Sequence, residues 1–567
     1  MNLEKTVKTS IYATGKSILV ALVLTCLPLT MTGDILAQEK PEPAAVISIA
    51  PLDEQLKDVE YLAKATSEMF GAMSGMARMQ AEGFLPGVDF SKPSGILLYF
   101  DEGNPEPKRV GFFPVSNLDD ILDKVSEFAE VEEDGDAFTI TPDSGDEMRL
   151  KSQGDYAFVS DTPELLGSLP ADPISLVKAA TQEYNISAEL YPQRIPENLR
   201  QQMMDFLKEG VEAAMDDMDD FQAELQEAQF QAQMKQMESW VNDFEKITVG
   251  FNADQGSEKV YFDVNMKGLS GSGMAKKLAA AKTSEPSRFA GFLMNNAAFT
   301  MHNCSGISKE DADLYAESMD NMRDSILDEL SDDDDEAKAK ILSKISKQLT
   351  ETVKKTLADG TLDMGGVVFT DDGLNAAFGA KVVDARNLES SIKEIVVDAE
   401  SEIKNDEVVF NLNSGSHGGF TMHEILVSLD LEDLDESIEK MFGEKITVLL
   451  AINDDQVYVG AGRSPGATVK KAIDANAGGG KNAEMIGQYN FFMTPIMNLL
   501  ASVQPDQDMF EAMREKIAEV GKDRVGVTYD VVGNEMKVRV EMQDGIFQLY
   551  GVAIENLSGM GGGGADF

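Results

Sequence analysis

The sequence predicts an α+β fold of tandemly repeated modules, each an antiparallel sheet with helices packed on one face and long helical-hairpin inserts. Three observations predict it. Apolar and polar residues alternate in paired runs separated by turn residues, the pattern of β-hairpins with one buried face. Two long stretches, 196–245 and 308–358, carry apolar residues at helical spacing with almost no glycine or proline. Segments far apart in the chain also resemble one another, the mark of internal repetition.

The chain opens with Lys5, Lys8 and Lys16, then an apolar run from Ile18 to Leu24 continued by Leu27 and Leu29. A basic start, a short apolar core and a small-residue exit describe a secretory signal over residues 1–37, cleaved after Ala37. A permanent anchor fits worse: Pro28, Thr25, Thr30 and Thr32 interrupt the run well short of the ~20 apolar residues a spanning helix needs. Lipidation at Cys26 is the other rival, with Thr25 an unfavourable residue before it. Removal of the signal leaves Cys304 as the remaining cysteine, so the exported chain holds itself together by burial and not by an internal disulfide.

Residues 38–92 read as a linker and a helix from about Leu52 to Gln80, with Met69, Phe70, Met73 and Met76 as an apolar stripe. Methionine fills irregular gaps in cores and also lines adaptable grooves; the core reading leads here.

One module type spans 93–175 and 375–480. In the first copy the strand around Tyr156–Ser160 runs into Thr162-Pro163; in the second the strand around Val457–Gly462 runs into Ser464-Pro465. Thr162 and Ser464 suit a helix N-cap, and Pro163 and Pro465 the first helical position, where no N–H is needed. Asn117-Leu118-Asp119 and Asn387-Leu388-Glu389 form a second matched pair, each read as an asparagine-capped helix.

A second module type spans 180–285 with its insert at 196–245, 286–400 with its insert at 308–358 (its end overlapping the module before 480), and 485–556. Each begins with a strand, inserts helices and closes with a hairpin. The hairpin turns carry Asp254-Gln255-Gly256, Asp371-Asp372-Gly373 and Gly533-Asn534, residues that supply positive φ. The third copy shows a single short helix near Met509–Val520. Residues 557–567, with Gly559 and Gly561–Gly564, read as a flexible tail.

The charge bounds the partners. With 49 basic and 99 acidic residues the chain carries −50, which repels nucleic acid and anionic lipid and attracts cations and basic proteins. A composition of 43% hydrophobic residues is too rich for wholesale disorder.

Gly462-Arg463-Ser464-Pro465-Gly466 fits the G-x-S-x-G hydrolase pattern. Pro465, however, lacks the N–H that would serve the oxyanion, and no histidine follows His423. His417 and His423, six apart with Glu424 alongside, lack the tight spacing of a zinc site and read as incidental. His302 and Cys304 share one strand face, and without basic neighbours the thiol reads as inert. Asp430–Asp435 lacks the glycine of a calcium loop and reads as a helix start, while Asp332–Glu336 reads as a solvated turn that attracts cations loosely. Gly268–Gly273 lacks the P-loop lysine, since Met274 stands in its place. Ser390-Ser391-Ile392-Lys393 fits S-x-x-K without the companion motifs.

Pro286-Ser287-Arg288-Phe289-Ala290-Gly291 before a strand, Gly521-Lys522-Asp523-Arg524-Val525 before a hairpin, and the repeated Asn-Leu-acidic helix starts resemble uncharacterised exported proteins of planctomycete-type bacteria. The resemblance implies an extracytoplasmic location and tandem α+β modules, and it carries over no site residue.

The sequence reading is therefore a non-enzymatic protein, periplasmic, extracellular or held at the cell envelope, that binds or scaffolds envelope proteins. No catalytic, cofactor-binding or metal residue is assigned, and no cofactor. The alternative is a carrier of lipid or another apolar ligand between a curved sheet and Met-rich helices. A hydrolase or metal-dependent enzyme stands third.

Overall fold

Ala45–Ile49 (β1), inside the expected N-terminal linker, is a central strand with an antiparallel partner on each side. The computed structural model describes residues 42–560 apart from 171, 203, 206–241, 283–285, 332–335, 403–407, 429–435, 478–484 and 505–507. The expected signal, most of the 196–245 insert, the acidic run 332–335 and the motif Asp430–Asp435 lie outside the described residues. So does the end of the expected tail. The chain divides into two compact units, one holding the described residues up to 205 with Phe244–Lys267, the other Asn242, Asp243 and those from Gly268 onward.

In the first unit, β1 is followed by helices α1 (Leu52–Thr66) and α2 (Glu68–Phe84). These correct the single helix expected over 52–80: Ser67 is extended (φ −160°, ψ 158°) and its Oγ accepts the Phe70 N–H at 3.3 Å, ending one helix and capping the next. Met76 of the supposed core stripe is exposed. Strands β2 (Ser94–Asp101) and β3 (Asn104–Pro114) precede α3 (Leu118–Val125). Four strands follow: β4 (Ala129–Asp134), β5 (Ala137–Pro142), β6 (Met148–Gln153) and β7 (Tyr156–Ser160). A 3₁₀ turn at Pro163–Gly167, α4 (Ile174–Thr181), β8 (Ile186–Leu190), β9 (Phe244–Asp254) and β10 (Lys259–Gly268) complete it. The sheet order is β10-β9-β8-β1-β2-β3-β7-β6-β5-β4, antiparallel at each pairing from β9 to β4.

The unbroken apolar run Tyr-Ala-Phe-Val in β7 has a simple cause: both faces of this strand are buried. Phe158 packs with Phe112, Leu97, Leu166 and Val177 on one side. Ala157 and Val159 pack with Ile121 and Val125 of α3 on the other.

The second unit begins with α5 (Gly273–Ala281), capped by Ser272, whose Oγ accepts the Ala275 N–H at 3.1 Å. The glycine-rich Gly268–Gly273 stretch is thus a helix entry. Then come β11 (Phe299–Gly306), α6 (Lys309–Ser331), α7 (Glu336–Ala358), β12 (Thr361–Phe369), β13 (Asn375–Lys381) and α8 (Ala385–Glu402). Strands β14 (Val408–His417) and β15 (Phe420–Ser428), α9 (Glu436–Phe442), β16 (Lys445–Ile452), β17 (Gln456–Gly462) and α10 (Pro465–Asn476) follow. The chain continues through β18 (Gly487–Phe492), α11 (Met493–Val503), α12 (Asp508–Val520), β19 (Arg524–Val532), β20 (Glu535–Gln543) and α13 (Asp544–Met560). The third insert is therefore two helices and not one, and α13 reaches four residues into the expected flexible tail. The order is β20-β19-β18-β11-β12-β13-β17-β16-β15-β14, antiparallel throughout. Counted from the first strand of each unit, the two orders are the same.

Several local expectations are corrected by geometry. Thr162 and Ser464 make no capping hydrogen bond. Ser464 has ψ 58°, short of the extended cap geometry, and its own N–H donates to Asn375 Oδ1 at 2.6 Å. Asn117 does cap α3, accepting the Asp119 N–H at 3.2 Å. Asn387 lies inside α8, which is entered through Asp384 at φ 61°. In the Asp254–Gly256 turn the positive φ falls on Glu258 instead of Gly256. Helices also occupy both sheet faces and not one. In the second unit α10 packs Val469 over Gly460 on the Tyr458 face, while α8 reaches His423 on the opposite face.

Candidate functional site

The residues singled out for chemistry are distributed through the second unit and mostly engaged in its own hydrogen bonding. His423 is 2% exposed. Its Nδ1 accepts the Asn413 N–H at 3.1 Å, so in the neutral ring Nε2 carries the proton and donates to Glu389 Oε1 at 3.3 Å. Glu389 also accepts Lys393 Nζ at 2.6 Å and Arg386 Nη1 at 2.8 Å. Burial works against ionisation of Glu389, but these two cations outweigh it and hold its carboxyl below the ordinary glutamate value. Lys393, the lysine of the S-x-x-K match, serves Glu389, while the Ser390 hydroxyl donates to Arg386 O at 3.0 Å.

His302 is fully buried, and neither ring nitrogen has a hydrogen-bond partner among the described residues. Burial lowers its pKa, opposed by the Asp363 carboxylate. Asp363 is itself held by Ser287 Oγ at 2.6 Å and the Arg288 N–H at 2.8 Å. Cys304, two residues along β11, is buried and outside any disulfide. His417 ends β14 and meets Asp474 Oδ1 at 2.7 Å on the surface. Among the described residues no three His, Cys, Asp or Glu side chains gather as a metal would require.

Beside His417 lies a cleft of about 410 Å³ bounded by Arg288, Phe420, Asn453, Gln456, Ile473 and Asn476. Its polar groups are largely consumed. Asn476 accepts the Gly291 N–H at 2.8 Å and donates to Ala472 O at 2.9 Å. Asn453 Oδ1 accepts the Asp455 and Gln456 N–H groups, and Arg288 is paired with Asp455.

The more distinctive feature is the sheet face opposite Tyr458. Direct register partners run His423, Leu450, Val459, Phe378, Gly366, Met301, Tyr489, Val527, Val540 across nine strands. The next row on that face is Val448, Ala461, Ala376, Val368, Phe299, Phe491, Val525, Met542. Between His423 and Val540 neither row holds a charged residue. Glycine at 366 makes the first row continuous: a Cβ there would lie 2.5 Å from Phe378 Cδ1 and 3.0 Å from Met301 Cγ, so both side chains cover it. The rings of Phe299 and Phe491 are 4.8 Å apart between centroids.

At the His423 end the face is covered by α8. Toward its middle it is open: Phe378 is 44%, Phe491 41% and Val459 37% exposed. Isolated exposed apolar residues are ordinary, but a contiguous patch is characteristic of binding surfaces. The first unit carries a similar row, Val159, Gly111, Ile96, Ile47, Ala188, Val249, with α3 over one end. Ile186, one position along β8 on the same face as Ala188, is also exposed.

Sequence reasoning assigned no residue of either row to a binding surface. The alternation along each strand was visible, but the rows exist only through register between residues as distant as Met301 and Tyr489. Comparisons with protein-family models, with curated proteins and with solved structures returned no match. No helix among the described residues is long and apolar enough to cross a membrane.

Proposed function

We propose that this is an exported, non-enzymatic binding protein of the cell envelope, and that each unit binds through the apolar face of its sheet. The observation that carries the reading is the uncharged, partly exposed double row through Phe378 and Phe491. Leaving such a surface in water forgoes roughly 25 cal/mol for every Å² a partner would cover. The shared strand order supports an origin by duplication of one ten-stranded unit, which gives one chain two comparable faces. Two linked faces raise avidity for a partner that reaches both. The basic, apolar N-terminus supports export.

The test is retention of envelope components by the immobilised full chain, compared with Phe378→Asp and Phe491→Asp variants. Wild-type retention of a component that both variants release is the expected result. Equal retention by all three contradicts the reading. The uncharged rows also favour a second reading, a carrier of lipid or another apolar molecule. Organic extraction of the purified native protein that yields a stoichiometric apolar compound would select the carrier.

A further inference from the structure

Resting on the reading that this face of the second sheet binds a partner, we propose that the partner is an amphipathic, basic polypeptide helix. Its apolar side would lie along the rows through Phe378 and Phe491, and its lysines and arginines would project into the acidic surroundings.

The strands decide the mode of binding. Each strand from β11 to β13 and from β15 to β19 is already paired on both sides, so a partner cannot join this stretch as an added strand. It must meet side chains, as an amphipathic helix does in an apolar groove. The eight strands from Leu450 to Val540 span about 34 Å at ~4.8 Å per strand. That length seats a helix of roughly 20 residues at 1.5 Å per residue.

Charge decides the partner's sign. The chain carries −50. Of the adjoining helices, α6 repeats the bias, whereas α7 is lysine-rich and spends Lys344, Lys354 and Lys355 on the carboxylates of Asp398, Asp320 and Asp384. Helix α8, which covers the His423 end, is tied to α7 by Lys344–Asp398, and α7 to α6 by Lys354–Asp320 at 2.5 Å. Along α6 stand Glu310, Asp311, Asp313, Glu317, Asp320 and Asp324, against Lys309 and Arg323. Arg323 is already paired with Asp320 and Asp324. An anionic lipid surface or an acidic helix would be repelled, and a neutral bilayer gains nothing from the field. A basic helix gains from both surfaces.

The experiment titrates the full chain with a fluorescent amphipathic Leu/Lys helix, a Leu/Glu helix of identical pattern, and phosphatidylcholine vesicles. The Leu/Lys helix binds, and Phe378→Asp or Phe491→Ser weakens it at least tenfold with the thermal transition retained. Phe378→Asp adds negative charge, so a purely electrostatic attachment would strengthen in that variant. Phe491→Ser removes the ring without changing charge and covers the case in which the aspartate perturbs folding. Equal binding of the Leu/Lys helix by wild type and both variants overturns the proposal, as does equal binding of the Leu/Glu helix or attachment to vesicles in place of peptide. Failure of both peptides, with an envelope component still retained by wild type and lost by the variants, overturns the basic-helix partner alone. Loss of both signals overturns the binding reading as well.

Discussion

The buried His423 donates through Nε2 to Glu389, 34 residues earlier in the chain, and so joins β15 to α8 beneath the helix that closes one end of the apolar face. Its other nitrogen is occupied by the Asn413 N–H, presented where β14 bulges between Asn411 and Gly415 with Asn413 at φ 53°. Glu389→Leu leaves the imidazole N–H unpaired and should cost about 1–3 kcal/mol. Glu389→Gln retains an acceptor and should cost less. Urea denaturation checks this; a midpoint unchanged by Glu389→Leu would show that the contact contributes nothing.

Acid sensitivity follows from the two buried histidines. Burial lowers the pKa of His302 against the opposing Asp363 carboxylate; burial and Lys393 lower that of His423 against Glu389. An unfolded imidazole takes up its proton near 6.5, the buried rings only at lower pH. Between those values the unfolded chain binds more protons, so stability is full above pH 6.5 and declines as pH falls below it. Denaturation from pH 8 to 5.5 should show the decline. His302→Leu should flatten it at little cost at pH 8, because that ring has no hydrogen-bond partner among the described residues. An identical slope in this variant would contradict the assignment.

Ser464 and Asn375 should separate cleanly on mutation. The Ser464 hydroxyl makes no cap bond, while its N–H relies on Asn375 Oδ1 at 2.6 Å. Ser464→Ala should therefore change stability by less than about 0.5 kcal/mol, whereas Asn375→Ala should cost about 1–2 kcal/mol. A large loss in the serine variant would restore the role expected from the sequence.

Two glycines offer a matched contrast. At Gly460 a Cβ would lie 2.4 Å from Val469 Cγ2, forcing α10 off the sheet. Gly460→Ala should cost about 1–3 kcal/mol. Among the described residues nothing lies within 4 Å of such a Cβ at Gly415, and Gly415→Ala should be neutral or slightly stabilising. Comparable losses in both would refute the packing of α10.

Much of the secondary structure was legible because its causes are local. The hairpins at Gly373 and Gly533 announce themselves by residues that accept φ +70° and +66°. The apolar run of β7 reflects burial on both faces, and Pro465 marks the start of α10. What stayed hidden depends on distant partners. The short segment Ala45–Ile49 becomes a central strand only because Ile186–Leu190 lies beside it. The Met69–Met76 stripe has helical spacing, yet spacing cannot say whether anything covers Met76. The apolar rows likewise emerge from register, and the role of His423 from a bulge that no motif records.

Binding at this face requires solvent access to Phe378 and Phe491. Titrating the native chain with an environment-sensitive apolar dye measures it. Saturable binding that falls sharply in a Phe378→Asp/Phe491→Asp double variant of unchanged circular dichroism is the predicted result. No dye binding by the folded wild type, or binding indifferent to both substitutions, would contradict it.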